Sequence, residues 1–170
     1  MIGRFKICLS CIGICLFFFA APTKAQILQD TTALKLVKKN IDYIYNLQFN
    51  NAREVHSDIR RLYPAHPVVF LLNGMMTYWE NYPMLSTASS RYSFEEDMNR
   101  CIRLSENNKN PVNEAEYLLA DLCARGMLLM YYSDNDMIME VIPLVSKTYK
   151  YLRHSFDFAS SCSDLNYFTG

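Results

Sequence analysis

Glycine is scarce in this chain, with five residues in 170. That disfavours loop-rich and all-β architectures and leaves nothing with which to build a Gly-rich phosphate cradle. Neither sign of charge is in excess, because seventeen Lys+Arg balance seventeen Asp+Glu. A nucleic-acid binder normally carries a basic surplus, so nucleic acid is not an expected partner. The sequence has no G-x-S-x-G, no H-E-x-x-H and no P-loop. Its three histidines, His56, His66 and His154, have none of the spacings that hold zinc, and they read as surface or capping residues. Asp134-Asn135-Asp136 opens like a calcium loop, but Met137, Ile138 and Met139 follow in place of oxygen ligands. No metal, no cofactor and no catalytic residue is expected. What the chain does have is 51% hydrophobic and 20% charged residues, a composition that folds around a core.

The first 25 residues read as an address. Arg4 and Lys6 precede an uncharged run from Ile7 to Ala21, and Thr23 and Ala25 place small residues before Gln26. Basic start, apolar run and small-residue cut site are the order of a secretory signal peptide, and the run is shorter than the ~20 residues that span a bilayer. Cleavage between Ala25 and Gln26 makes the protein secreted or periplasmic, with the membrane involved only in export. The remainder carries 14 basic and 17 acidic side chains and three cysteines, Cys101, Cys123 and Cys162. An odd number leaves at least one thiol unbridged. The offset between Cys101 and Cys123 along neighbouring helices argues against a bridge there.

From 26 to 170 the apolar residues recur with the helical period. Leu34, Val37, Ile41 and Ile44 mark a helix over about 32–48. Ala52, Val55, Ile59 and Leu62 mark one over about 52–63, with Asn51 and Glu54 at capping-box spacing. A third begins at Pro67 and is apolar nearly all round, so it belongs inside the protein. Ser93 and Glu96 open a fourth that reaches about Glu106. Asn113 and Glu116 open a fifth over 114–132, where Gly126 implies a neighbouring helix pressed close. The sixth covers about 137–152 and contains Pro143. The tail after Arg153 reads either as the start of a truncated seventh helix or as a frayed end.

Tyr43, Ala52 and Pro64 are spaced 9 and 12, and Gly74 falls at the small-residue position of the helix that follows. On these residues the chain resembles a divergent tetratricopeptide-repeat protein of the exported bacterial kind. Lys39 and Asn40 depart from the motif, standing where it has Leu and a small residue. The resemblance implies an all-α antiparallel helix-hairpin array of about six helices, whose first helices line a concave face for a protein or peptide partner. Val68, Leu71, Met75, Tyr78, Trp79, Met127, Met130 and Tyr131 would face that partner. Residues with this spacing also serve as ordinary core, and the sequence leaves both readings open. The aromatic cluster Tyr78, Trp79, Tyr82, Tyr92 and Phe94 closes the second hairpin or, alternatively, forms a site for a sugar or peptide. The expected function is thus an exported, non-enzymatic interaction scaffold. The alternative is an accessory carbohydrate-binding or hydrolytic protein with its site at that cluster or in a missing C-terminal part.

Overall fold

The computed structural model describes Ile27 and residues 29–158. The segment expected to be a leader, with its expected cut site, and the tail beyond Phe158, Cys162 included, lie outside the described residues. Six α-helices follow one another: α1 (Thr31–Tyr45), α2 (Phe49–Leu62), α3 (Pro67–Glu80), α4 (Ser90–Glu106), α5 (Glu114–Asp134) and α6 (Ile138–Ser155). Short 3-10 turns cover Pro111–Asn113 and Phe156–Phe158, and no strand occurs among the described residues. Each helix packs on the next, α1 also touches α3, and α3 touches α5. The protein is therefore an all-α array of helix hairpins whose odd-numbered helices lie side by side.

Helix α3 is the centre of that array. Val69, Phe70, Leu71, Leu72, Met75, Met76 and Tyr78 are all buried along it, because α1, α2, α4 and α5 each take a side. Its start is fixed by Pro67 in the first turn and by His66, whose Nδ1 accepts the Val68 N–H at 3.2 Å. With Nδ1 an acceptor, the ring proton lies on Nε2 and is donated to Glu116 Oε1 at 2.9 Å. Gly74 lets α4 approach, since a methyl there would overlap Met98 Cε and touch Asp97 Cβ at 3.4 Å. Gly126 does not act in this way. It faces solvent, with open space around the position of a Cβ, because the core side of α5 is taken by Ala124, Leu128 and Tyr131.

Several helix starts differ from the spacing rules. Helix α2 begins at Phe49 with Gln48 at its N-cap, so Asn51 is inside the first turn and caps nothing. The chain gains that turn because Leu47 takes a left-handed backbone, φ 57°, and reverses direction within three residues. Helix α4 begins at Ser90, and the Ser93 hydroxyl donates back to the Ser90 carbonyl at 2.9 Å. Asn113 stands at the start of α5, but its side chain makes no capping bond. Helix α1 is capped by a residue the periodicity does not single out. Asp30 Oδ1 accepts from Thr32 and Ala33 N–H at 2.9 and 3.2 Å, while Oδ2 accepts the Tyr63 hydroxyl at 2.9 Å.

Two buried polar contacts tie distant segments together. Asn40, where the repeat motif has a small residue, donates from Nδ2 to the Ala52 carbonyl at 2.6 Å and so pins α1 to the start of α2. The Ile27 N–H reaches both carboxylate oxygens of Glu116, at 3.1 and 3.3 Å, with its side chain buried. Of the three histidines, His56 and His66 are buried rather than superficial, and His56 Nε2 donates to the Val69 carbonyl at 2.8 Å.

A β-carbon in the left-handed region costs about 1–2 kcal/mol, and glycine gives back part of that gain through its freer unfolded chain. Leu47→Gly is therefore expected to raise the urea midpoint slightly, by about 0.5–1 kcal/mol of stability, since the Leu47 side chain is largely exposed and little packing is lost with it. Burial, and then the bond to Asp30, push the Tyr63 hydroxyl up to about 12. Its neutral form is favoured by folding, so its contribution is complete below the unfolded value of about 10 and fades as pH rises through about 12. Melting temperature should fall across that window. Tyr63→Phe should lower stability at neutral pH yet flatten the alkaline decline, a difference readable by melts in parallel with tyrosinate absorbance.

Candidate functional site

The residues expected to face a partner divide into two groups. Leu71, Met75, Tyr78 and Tyr131 are buried in the main core, and Tyr78 donates its hydroxyl to Asp134 Oδ2 at 3.0 Å. These four are core, fixed there by the packing of α3 against α4 and α5. Val68, Trp79, Met127 and Met130 are half-buried, resting on the core with part of each side chain in solvent. Ile41 of α1 and Cys123 of α5 have the same character. The odd-numbered helices thus carry an apolar rim of partly exposed side chains above a closed core.

That rim is most developed at Trp79. Its ring lies 6.0 Å from Tyr45 and 5.4 Å from Tyr82, centre to centre, and those two tyrosines are 62% and 57% exposed. Beneath them Tyr78, Phe94 and Tyr131 continue the ring contacts into the core at 5.3–5.4 Å. Tyr92 is exposed and stacks under Arg91 at 4.7 Å instead of joining this group. The aromatic cluster read from the sequence is therefore part core and part surface. Its surface part is completed by Tyr45, which comes from α1. Helix α6 adds a second apolar surface. Ile138, Ile142, Val145 and Tyr149 recur at helical spacing and are exposed, and α6 itself buries no hydrophobic side chain.

A polar cleft, absent from the sequence reading, opens where the end of α4, the start of α5 and the end of α6 meet. It encloses about 150 Å³ and is lined by Ser105, Glu106, Asn108, Glu114, Tyr117, Leu118, Asp121, Tyr151 and His154. Beside its floor lies Arg125, only 1% exposed, which donates from Nε to Asp121 Oδ2 and from a terminal nitrogen to Glu106 Oε1, both at 2.7 Å. Its guanidinium stacks on the Tyr151 ring at 4.5 Å. Tyr151 donates to the same Glu106 oxygen at 3.1 Å, and His154 Nε2 bonds Glu114 Oε1 at 2.9 Å. Asp121 Oδ1 is buried with no donor. Burial raises the Asp121 carboxyl above the usual carboxylate range, and Arg125 offsets this only in part. The available signal in the sequence was Asp121 and Arg125 four apart inside an otherwise apolar stretch, the mark of an intrahelical pair turned inward.

Cys101 is buried, and its thiol donates to the Ala120 carbonyl at 3.5 Å. No disulfide joins it to Cys123, and burial pushes its thiol well above the ordinary range. It is an inert packing residue rather than a nucleophile. Among the described residues no cluster of His, Cys, Asp and Glu could hold a metal ion, and no helix is long and apolar enough to cross a membrane. No family model, curated protein or solved structure matches the chain.

The Asp121–Arg125 pair yields a stability prediction. Removing one partner of a buried ion pair costs about 3–5 kcal/mol because it strands the other charge. Arg125→Met should therefore destabilise by about that much. The double variant Asp121→Leu/Arg125→Met should recover most of the loss in urea unfolding, since Glu106 can rehydrate at its exposed position.

Proposed function

We propose that the chain is an exported, non-enzymatic interaction scaffold of tetratricopeptide-like type, which holds a protein or peptide partner against the face of its odd-numbered helices. The basic, apolar, small-residue order of the first 25 residues supports export to the periplasm or beyond. The observation that carries the binding reading is the surface aromatic group Tyr45, Trp79 and Tyr82, with rings in contact and two of the three largely in solvent. Aromatic side chains offer a large contact area at low entropic cost and dominate the energetics of protein interfaces. Val68, Met127 and Met130 extend the same apolar rim, and methionine adapts its shape to what it meets.

A photo-crosslinking amino acid at Tyr82 tests this in the native envelope. It should trap one discrete partner, and Tyr45→Ser in the same chain should cut the yield severalfold. Labelling no stronger than from a control position such as Lys147 on α6 would remove the aromatic face as the docking surface. Tyr45 and Tyr82 are preferred to Trp79 for substitution because Trp79 also packs on the core.

A further inference from the structure

The cleft at the junction of α4, α5 and α6 is the polar feature that the aromatic face leaves unused. Three carboxylates, Glu106, Glu114 and Asp121, line it, and one guanidinium, that of Arg125, bonds to two of them. The third, Glu114, is bonded by His154. Asp121 is 1% exposed, and one of its oxygens has no donor. A buried carboxylate oxygen without a partner forfeits roughly 1–3 kcal/mol. Glu106 and Glu114 line the same cleft with half-exposed side chains, so three carboxylates share one small volume with a single guanidinium. The aromatic residues Tyr117 and Tyr151 also line it, and Tyr151 already stacks on one guanidinium, that of Arg125.

We propose that this cleft binds a single organic cation, an alkylammonium or guanidinium group, between the Glu106 and Glu114 carboxylates over the buried Asp121. Three carboxylates outnumber the one guanidinium that bonds two of them, and the surplus negative charge attracts the cation; the rim oxygens accept its N–H groups in charge-assisted bonds, and the tyrosine rings cover its aliphatic part. A volume of about 150 Å³ suits a side-chain-sized head, not a whole sugar or nucleotide. The cation comes either from a lysine or arginine of a bound polypeptide or from a free amine. The proposal does not depend on the aromatic face, which lies among α1, α3 and the chain that follows α3.

The test is an NMR titration that follows the ring signals of Tyr117, Tyr151 and His154. The probes are Nα-acetyl-lysine methylamide, Nα-acetyl-arginine methylamide, n-butylammonium and the uncharged isostere Nα-acetyl-norleucine methylamide. The cationic probes should shift these signals saturably, with an affinity that drops as salt is raised, and the norleucine probe should not. Glu114→Gln, at a half-exposed position, should weaken binding about tenfold, the equivalent of 1.4 kcal/mol. Asp121→Asn should weaken it at least as much. If that variant fails to fold, Glu114→Gln and the salt series still decide. Equal affinity for n-butylammonium and the lysine amide assigns the site to free amines, and a clear preference for the amide assigns it to a polypeptide side chain. Shifts of equal size from the neutral isostere, or no saturation with any cation, would overturn the proposal.

Discussion

The architecture depends on one constraint, which is that α3 is apolar around most of its circumference. A helix with a single apolar stripe needs one neighbour, whereas α3 presents Val69, Phe70, Leu72, Met75, Met76 and Tyr78 around most of its circumference. It must be enclosed, and α1, α2, α4 and α5 enclose it. Helix α5, packed on α3, α4 and α6, is likewise buried on more than one side, whereas α2 needs only one apolar face and is strongly amphipathic, and α6 remains peripheral. Burying a large apolar side chain contributes roughly 1.5–3 kcal/mol, so no other helix of this length adds as much to the core.

Most of the polar groups admitted to this interior act as connectors. Asn40 holds α1 to α2, His56 holds α2 to α3, and Glu116 with His66 holds α3 to α5. Asn135 does the same for the irregular segment after α3. It donates to the Met84 and Tyr131 carbonyls and accepts the Ser86 N–H, so the loop that carries the buried Met84 is fastened to the end of α5. Asp121 and Arg125 pair within α5, and Arg125 also reaches the exposed Glu106 at the end of α4, so this pair joins α5 to α4.

Much of the fold was legible in the sequence, and the reason is periodicity. Spacings of three and four placed all six helices, and the all-apolar run from Val68 identified α3 as the enclosed one. The helix starts were harder. Asn51 and Ser93 have capping-box spacing, yet a left-handed Leu47 and an early turn at Ser90 let the helices begin before them. Backbone reversals of that kind leave no mark in a side-chain pattern. The two helical glycines show the same limit. Gly74 and Gly126 look alike in sequence, but only tertiary packing decides that one admits Met98 and the other faces water. At the candidate surfaces, an apolar stripe could not reveal its own depth, so Tyr78 and Tyr131 could not be told from Trp79 and Met130. The cleft was missed because its residues come from three helices and are each unremarked alone.

The clasp between Ile27 and Glu116 has a consequence in time. Its two halves are 89 residues apart, and a contact of that separation closes only after the intervening loop entropy has been met. As the polypeptide is synthesised, α1 to α4 emerge and can associate before Glu116 exists to accept the Ile27 N–H. Only when α5 docks does this contact close, so the order of translation sets a window in which Ile27 lacks its later partner.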